Sequence, residues 1–429
     1  MLNIVKWRQN SSKTHLIKAY CVYILYPYKM IKRLTLILTL ATFFIQVGAQ
    51  TLKPDVLVIG NGNAAVAAGL QSAISGVKTT ILLQAGGFDI SPISGNLSSG
   101  IEATFLKKIR EAKQIKDSTE TPVFNKQMAN DVLTTWAESL KNLTIIKNTL
   151  WVKADRAGKN WSFKLSDGRS IRPKVLINPA DSKLNDALKI TASSTNSWTK
   201  LDYNNTIYRT SIAAGKLANG TVGNIFSMYQ LLVPLQENLV WVNDSQSMLL
   251  GQAAGATAAY AAFFDTKTSL SNVKTIQGEL VNYKLAIMPY ADIQQPDTNW
   301  KAIQMVGLTG VIKGEIEENT IKFLPNKLVT TAEIKQPIKD FYYKAQIWFD
   351  DYKNPQMTIG STIDMVCYVG NKSIENTKKE LAKKWKTTYQ FKTDLDLNRE
   401  INRREFAVVL QDYMPPFNVN IDPSGKVVR

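Results

Sequence analysis

The chain has 429 residues, room for two to three domains at roughly 150 residues each, and its 45% hydrophobic and 20% charged content excludes disorder as the dominant state. Lys and Arg number 52 against 35 acids, a formal charge of +17; the first 49 residues hold seven of those bases and no acid, so the rest has 45 bases against 35 acids, or +10. Interspersed acids of that number argue against a dedicated nucleic-acid binder. His15 is the only histidine, and Cys21 and Cys367 are the only cysteines. Once the N-terminal segment is removed, the chain cannot build a Ser-His-Asp or Cys-His engine, a His-ligated zinc site or an intramolecular disulfide.

From Met30 the sequence has a basic start at Lys32 and Arg33, an apolar run from Leu34 to Val47, and small residues at Gly48 and Ala49. The run is short for a bilayer span and reads as a signal peptide over residues 30–49, cut after Ala49, with residues 1–29 an over-early start. An uncleaved signal anchor is the alternative. The product is expected to be exported, to the periplasm, the cell envelope or the medium.

Asp55-Val56-Leu57-Val58-Ile59 is an apolar, β-branched run, followed by Gly60-Asn61-Gly62-Asn63-Ala64-Ala65, a small-residue helix pattern over Val66 to Ser75, and a second strand from Lys78 to Leu83. This is a βαβ start carrying G-x-G-x-x-A in the context that fingerprint needs. Gly60 permits the tight turn, Gly62 lets the backbone approach a pyrophosphate, and Ala65 lets the helix pack on the strand. A glycine-rich turn in another α/β protein is the plainer reading. Gln84 closes the second strand where a carboxylate normally holds the ribose hydroxyls, so Gln84→Glu is expected to tighten cofactor binding.

The turn, Gly86-Gly87, and the segment Ile93 to Ile101 with its helix Glu102–Arg110 resemble the bacterial FAD-dependent oxidoreductases with two dinucleotide-binding domains. Phe124 to Leu140, Leu143 to Ile146 and a β-meander of Leu150–Asp155, Trp161–Leu165 and Ser170–Ile177 extend the resemblance. It ends at Glu237 to Asp244 and the helix Met248-Leu249-Leu250-Gly251-Gln252-Ala253-Ala254-Gly255-Ala256-Thr257-Ala258-Ala259. The resemblance implies an FAD site formed by Gly60, Gly62, Asn63, Ala64, Ala65, Gln84, Asp244, Gly251, Gln252, Ala253 and Ala254, with no catalytic residue and no metal ligand assigned. In plain packing terms the last helix is a Gly/Ala helix set closely in a core. Asn178-Pro179-Ala180-Asp181 replaces that family's Ala-Thr-Gly turn, and Asn243 replaces the glycine of its Gly-Asp pair. About 58 residues between Asp181 and Val240 leave little for a substrate domain.

After Phe264 the alanine-rich texture stops. Residues 266–287 read as a linker and 288–429 as a small, mainly helical module. Asp292, the helix from Trp300 ending Gly310-Val311-Ile312-Lys313-Gly314, the Phe323-Leu324-Pro325 turn and Thr330-Thr331-Ala332-Glu333 resemble the S-layer homology module. A second copy reads from Ser361 to Pro415, with Arg404 in the motif's basic position and Thr331 replacing it in the first. Lys378 to Lys386 is basic and reads as a solvated helix face, and Cys367 as a buried thiol.

The expectation is therefore an α/β fold: a Rossmann-type FAD/NAD(P)-binding domain with a β-meander over 50–265, followed by the helical module. Flavin-mediated hydride or electron transfer on an unknown small molecule is the leading function. A pseudoenzyme acting as an envelope- or glycan-associated binding protein is the alternative.

Overall fold

The computed structural model describes residues 51–93, 97–116, 121–190, 197–215 and 223–428. The signal segment and residues 94–96 of the glycine-containing motif lie outside them.

Thr51–Leu52 (β1), Val56–Ile59 (β2), Thr79–Leu82 (β3) and Leu143–Ile146 (β4) precede a meander of Trp151–Ala157 (β5), Asn160–Leu165 (β6) and Ser170–Ile171 (β7). Val175–Asn178 (β8), Thr199–Lys200 (β9), Ser211–Gly215 (β10), Asn224–Ser227 (β11), Leu232–Val233 (β12) and Gln236–Trp241 (β13) follow. The main sheet runs in the order β12-β13-β8-β2-β3-β4, every neighbouring pair parallel except β12 with β13. The β2, β3 and β8 strands are buried along their whole length, as befits strands covered on both faces. The chain moves outward from β2 to β3 and β4, then returns to β8 on the other side of β2. That reversal is the switch point of a doubly wound sheet, where a crevice opens at the carboxyl ends of the strands.

The third meander strand differs from expectation. Only Ser170–Ile171 stays with β6, where it also pairs with β1, and Val175–Asn178 joins the main sheet. Pro173 between them has no amide to donate to a ladder, so the run divides there.

Helices Asn63–Ile74 (α1), Gly100–Ala112 (α2), Lys126–Glu138 (α3), Ser182–Leu188 (α4), Met248–Phe263 (α5) and Val273–Asn282 (α6) complete this half. The α1 helix is buried on all sides from Asn63 to Ala73 because the sheet lies on one flank and α5 on the other. Small residues make that fit possible. A Cβ on Gly69 would stand 2.3 Å from Ile81 Cδ1, and one on Gly251 would stand 2.2 Å from the Ala64 carbonyl oxygen. Helix backbones thus touch directly. The stretch expected as a linker carries α6, whose Ile276 and Leu280 enter the core around α1 and α5, whereas Val281 enters the C-terminal core.

The C-terminal half holds Trp300–Thr309 (α7), the hairpin Glu315–Glu317 (β14) and Thr320–Lys322 (β15), and helices Thr331–Phe341 (α8), Ala345–Asp351 (α9), Ile359–Gly370 (α10), Ile374–Thr387 (α11) and Arg403–Tyr413 (α12). Three helix starts meet in a closed ring of backbone hydrogen bonds. Val329 donates to Ile401 at 3.0 Å, Ile401 to Met357 at 2.9 Å, and Met357 to Val329 at 3.0 Å. A second ring repeats the pattern: Thr331 to Pro355 at 2.9 Å, Ile359 to Arg399 at 3.0 Å, and Arg403 to Lys327 at 2.9 Å. Thr330, Thr358 and Asn402 cap the three helices with their side chains.

The repeat count and its register both need correction. Three related helix starts are present where the sequence showed two, because the middle cap pairs Thr358 with Ser361 instead of with an acid. Superposing the caps aligns Arg403 with Thr331, so Arg403, not Arg404, occupies the motif's basic position. Cys367 is buried, as expected.

Gly255 gives the test of the helix contact. A Cβ there would lie 2.5 Å from the Ala68 carbonyl oxygen, whereas one on Gly278 in α6 meets only Phe417, at 3.8 Å. Gly255→Ala is expected to lower unfolding free energy by about 1–3 kcal/mol in chemical denaturation. Gly278→Ala should leave it unchanged or raise it by up to about 1 kcal/mol through helix propensity.

Candidate dinucleotide site

The turn after β2 has the backbone that a pyrophosphate site requires. Gly60 sits at φ +147° and donates to Leu82 at 3.1 Å, and Gly62 precedes α1 in an extended conformation. Asn63 clamps the neighbouring loop to the helix start: its Oδ1 accepts from the Ser91 amide at 2.9 Å and its Nδ2 donates to the Ser91 carbonyl at 3.3 Å. Ala64 and Ala65 are buried.

The space over this turn is taken by the chain itself. The Ala64 amide donates to the Ser245 carbonyl at 3.0 Å. A Cβ on Gly62 would lie 3.4 Å from that same oxygen and 3.9 Å from the Asp89 carbonyl. A helix N-terminus attracts electron-rich groups, and here a backbone carbonyl answers that demand.

Gln84 reaches across the crevice. Its Nε2 donates to Asp181 Oδ2 at 2.8 Å, while Asp181 Oδ1 caps α4 by accepting from the Leu184 amide at 3.0 Å. Since β2 lies between β3 and β8, this bond bridges the end of β2 directly beside Gly60. Ala180 keeps the left-handed turn of the missing glycine, at φ +60°, which costs about 1–2 kcal/mol for a residue with a Cβ. Pro179 packs at the Gly60 position, 3.8 Å from where a Cβ would stand.

The first turn of α5 is equally occupied. Asp244 accepts from the Gln246 amide at 3.1 Å and from Trp198 Nε1 at 3.4 Å. Gly251 backs onto Ala64, and Ala253 and Ala254 are fully buried. Gln252 accepts from the Ile101 amide at 2.8 Å and donates to Gln71 Oε1 at 2.9 Å, tying α5 to α2 and α1.

The fit to a dinucleotide is therefore divided. The glycine turn and helix start suit a pyrophosphate. The ribose end does not suit one, because Gln84 is spent on Asp181, and the Ser245 carbonyl stands where phosphate oxygens would approach. The structure brings Gly60, Gly62, Asn63, Ala64, Ala65 and Gln84 together at the switch point, with the Asp244–Ser245 segment beside them. Gln252 serves packing between helices. Asp181 and Ser245 were absent from the sequence-derived set; Ser245 acts through its backbone, which no residue pattern reveals.

Two further buried groups are chemically unusual. Glu102, in the first turn of α2, is pushed up to about 7 by burial, against the hydrogen bond from Ser98 Oγ at 2.8 Å. Lys274 in α6 is lowered to about 7 by burial, with the positive charge of Arg209 adding to the effect. Its Nζ has no hydrogen-bond partner among the described residues and lies 4.8 Å from the Phe417 ring centre. No cluster of potential metal ligands occurs among the described residues, and no described helix is long and apolar enough to cross a membrane.

No family model matches the chain. No curated protein matches it either. Among solved structures it is similar to p-nitrophenol 4-monooxygenase from Pseudomonas putida, at 13% identity over 50% of this chain and 79% of that one, with a TM-score of 0.28. It is also similar to the anhydrotetracycline hydroxylase OxyS from Streptomyces rimosus, at 12% identity over 35% of this chain and 36% of that one, TM-score 0.25. A third is thioredoxin reductase from T. acidophilum, at 15% identity over 30% of this chain and 35% of that one, TM-score 0.19. The chain spans about a third of the length of AlpK and of the hydroxylase, 34% and 36%. At these scores the functional reading is left to the site itself.

Glu102 and Lys274 predict an unusual pH profile. A carboxyl raised in the folded state withdraws stability as pH climbs from about 4.5 to about 7. A lysine lowered in the folded state costs stability below about 7 and returns it as pH climbs toward 10.5. Their joint contribution has its minimum near neutrality. Melting temperatures across pH 5 to 9 should show Glu102→Gln flattening the acid-side slope and Lys274→Met flattening the alkaline one.

Proposed function

We propose that the chain is an exported FAD-dependent oxidoreductase-like protein whose cofactor crevice is held closed by its own groups when flavin is absent. The observation that carries this reading is the Gly60–Ala65 turn, with its left-handed Gly60 leading directly into the helix start, at the switch point of a parallel sheet. Bound flavin would supply hydride or electron transfer, and the turn would hold its pyrophosphate. The substrate is an unassigned small molecule.

A second reading is favoured by the Gln84–Asp181 bond and the Ser245 carbonyl: a binding protein that kept the fold and gave up the cofactor. The C-terminal module would then carry the function as an envelope- or glycan-associated element. Its capped helix ring supports that assignment, although Arg403 is buried and paired with Glu315 and Glu333. The basic α11 face is partly neutralised by Lys378–Glu375, Lys384–Glu380 and Lys386–Asp394 pairs, in keeping with a solvated helix face.

Visible absorption of the purified chain, before and after added FAD, separates the two. On the first reading FAD binds, and Gly62→Val abolishes binding by filling the approach to the turn. The contact with Asp181 reverses the expectation for Gln84→Glu: two carboxylates would meet across the crevice, so binding should weaken. Adding Asp181→Asn should restore it. Absence of flavin uptake by both the natural chain and the double variant favours the binding protein.

A further inference from the structure

We propose that Lys274 is a carbonyl-capturing lysine at the groove between α6 and the turn after α12, where its amine takes up small oxo acids as an imine. The groove measures about 590 Å3, within the range of roughly 300–1,000 Å3 usual for small-molecule sites. Its walls come from residues 272–283, 305 and 417–420, all of them described.

The amine is placed as an imine-forming lysine needs to be. Lys274 is the second residue of α6, whose N-cap Asn272 accepts from the Thr275 amide at 3.0 Å. Its buried Nζ has no hydrogen-bond partner and lies 4.8 Å from the centre of the Phe417 ring, which also lines the groove. The positive charge of Arg209 acts on it, and no carboxylate among the described residues does. Gln277, one turn along α6, holds the Arg209 backbone in place by donating to the Arg209 and Ser211 carbonyls at 2.8 Å each. Burial, a second cation and the positive end of a helix all disfavour the ammonium form, so the nitrogen keeps a free electron pair in a large share of molecules at neutral pH.

Capture needs no oxidant. The nitrogen pair adds to the carbonyl carbon, the carbonyl oxygen leaves as water with both amine protons, and a carbon–nitrogen double bond remains. The surrounding charge selects an acid. Arg209 spends its guanidinium on the neutral Thr309 and Gly425 carbonyls, and the one carboxylate lining the groove, Glu279, is engaged by the Ser75 hydroxyl. A ligand carboxylate therefore offsets positive charge that nothing else on this side balances. Thr275, Asn418 and Asn420, exposed at the rim, supply hydroxyl and amide groups for its polar end. The inference does not depend on flavin binding.

The test is reductive trapping of the purified full chain with glyoxylate and cyanoborohydride near neutral pH, read by peptide mass mapping. Hydride adds to the imine carbon and fixes a carboxymethyl group on the lysine that reacted. Lys274 should be labelled at least about tenfold faster than the exposed Lys379, and the preference should vanish in guanidinium chloride, where the fold no longer distinguishes them. Phe417→Ala removes the ring beside the amine, so it should raise the Lys274 rate several-fold and leave Lys379 unchanged. Labelling of Lys274 no faster than Lys379 in the natural chain would overturn the proposal. So would an unchanged Lys274 rate in a folded Phe417→Ala, which would put the route to the amine outside the groove. If Phe417→Ala does not fold, Thr275→Trp at the exposed rim decides: undiminished labelling of Lys274 refutes the groove.

Discussion

The contact between α1 and α5 sets the rest of the N-terminal half. Gly251 and Gly255 face the Ala64 and Ala68 carbonyls so closely that a methyl group at either would overlap backbone. Buried polar bonds fix the register of that crossing: Ser72 Oγ donates to the Gly255 carbonyl at 3.1 Å, and Gln252 joins Gln71 at 2.9 Å. With the helices locked at this distance, the segment leading into α5 has one place to go. It passes over the glycine turn and delivers the Ser245 carbonyl to the Ala64 amide. The packing that fixes the two helices also places a backbone carbonyl over the glycine turn.

How firmly the crevice is closed follows from what closes it. A neutral amide–carbonyl bond contributes about 0.5–1.5 kcal/mol net, and one to a carboxylate about 1.5–3 kcal/mol. The Ala64–Ser245 and Gln84–Asp181 bonds together therefore represent about 2–4.5 kcal/mol, equivalent to roughly 30- to 2,000-fold in a dissociation constant. A pyrophosphate on a helix N-terminus makes charge-assisted bonds that exceed a carbonyl's. If flavin binds, this closure lowers its affinity without forbidding it. For a dinucleotide the ribose end would be the more adverse part, because displacing Gln84 would leave the Asp181 carboxylate to face an anionic ligand with the Leu184 amide as its side chain's remaining partner among the described residues.

The sequence disclosed the elements whose signal is local. The β2 run, the glycine turn and α1 are adjacent in the chain, and their order alone specifies a βαβ start. The α5 glycines were equally visible, but their spacing suits either a flavin contact or a helix crossing, and only the partner helix decides between them. The Gln84–Asp181 bond joins positions 97 residues apart and depends on strand order, which no local pattern encodes. The middle helix start escaped for a different reason: Thr358 caps with Ser361, so the acid that marks the other two is missing. Without that middle copy the register slipped by one, and Arg404 stood in for Arg403.

The short insert and the helical module are two sides of one arrangement. Between β8 and β13, β9, β10 and β11 form a small sheet, and Leu201, Tyr208 and Ile225 sink into the C-terminal core. Arg209 donates to the Thr309 carbonyl at 3.0 Å and lies 5.0 Å from the Phe341 ring centre, so a buried cation bridges the insert to α7 and α8. Such a bridge is costly to break, since separation would leave a guanidinium without partners in an apolar setting. Among the described residues a cavity of roughly 560 Å3 lies along the seam between α2 and α7.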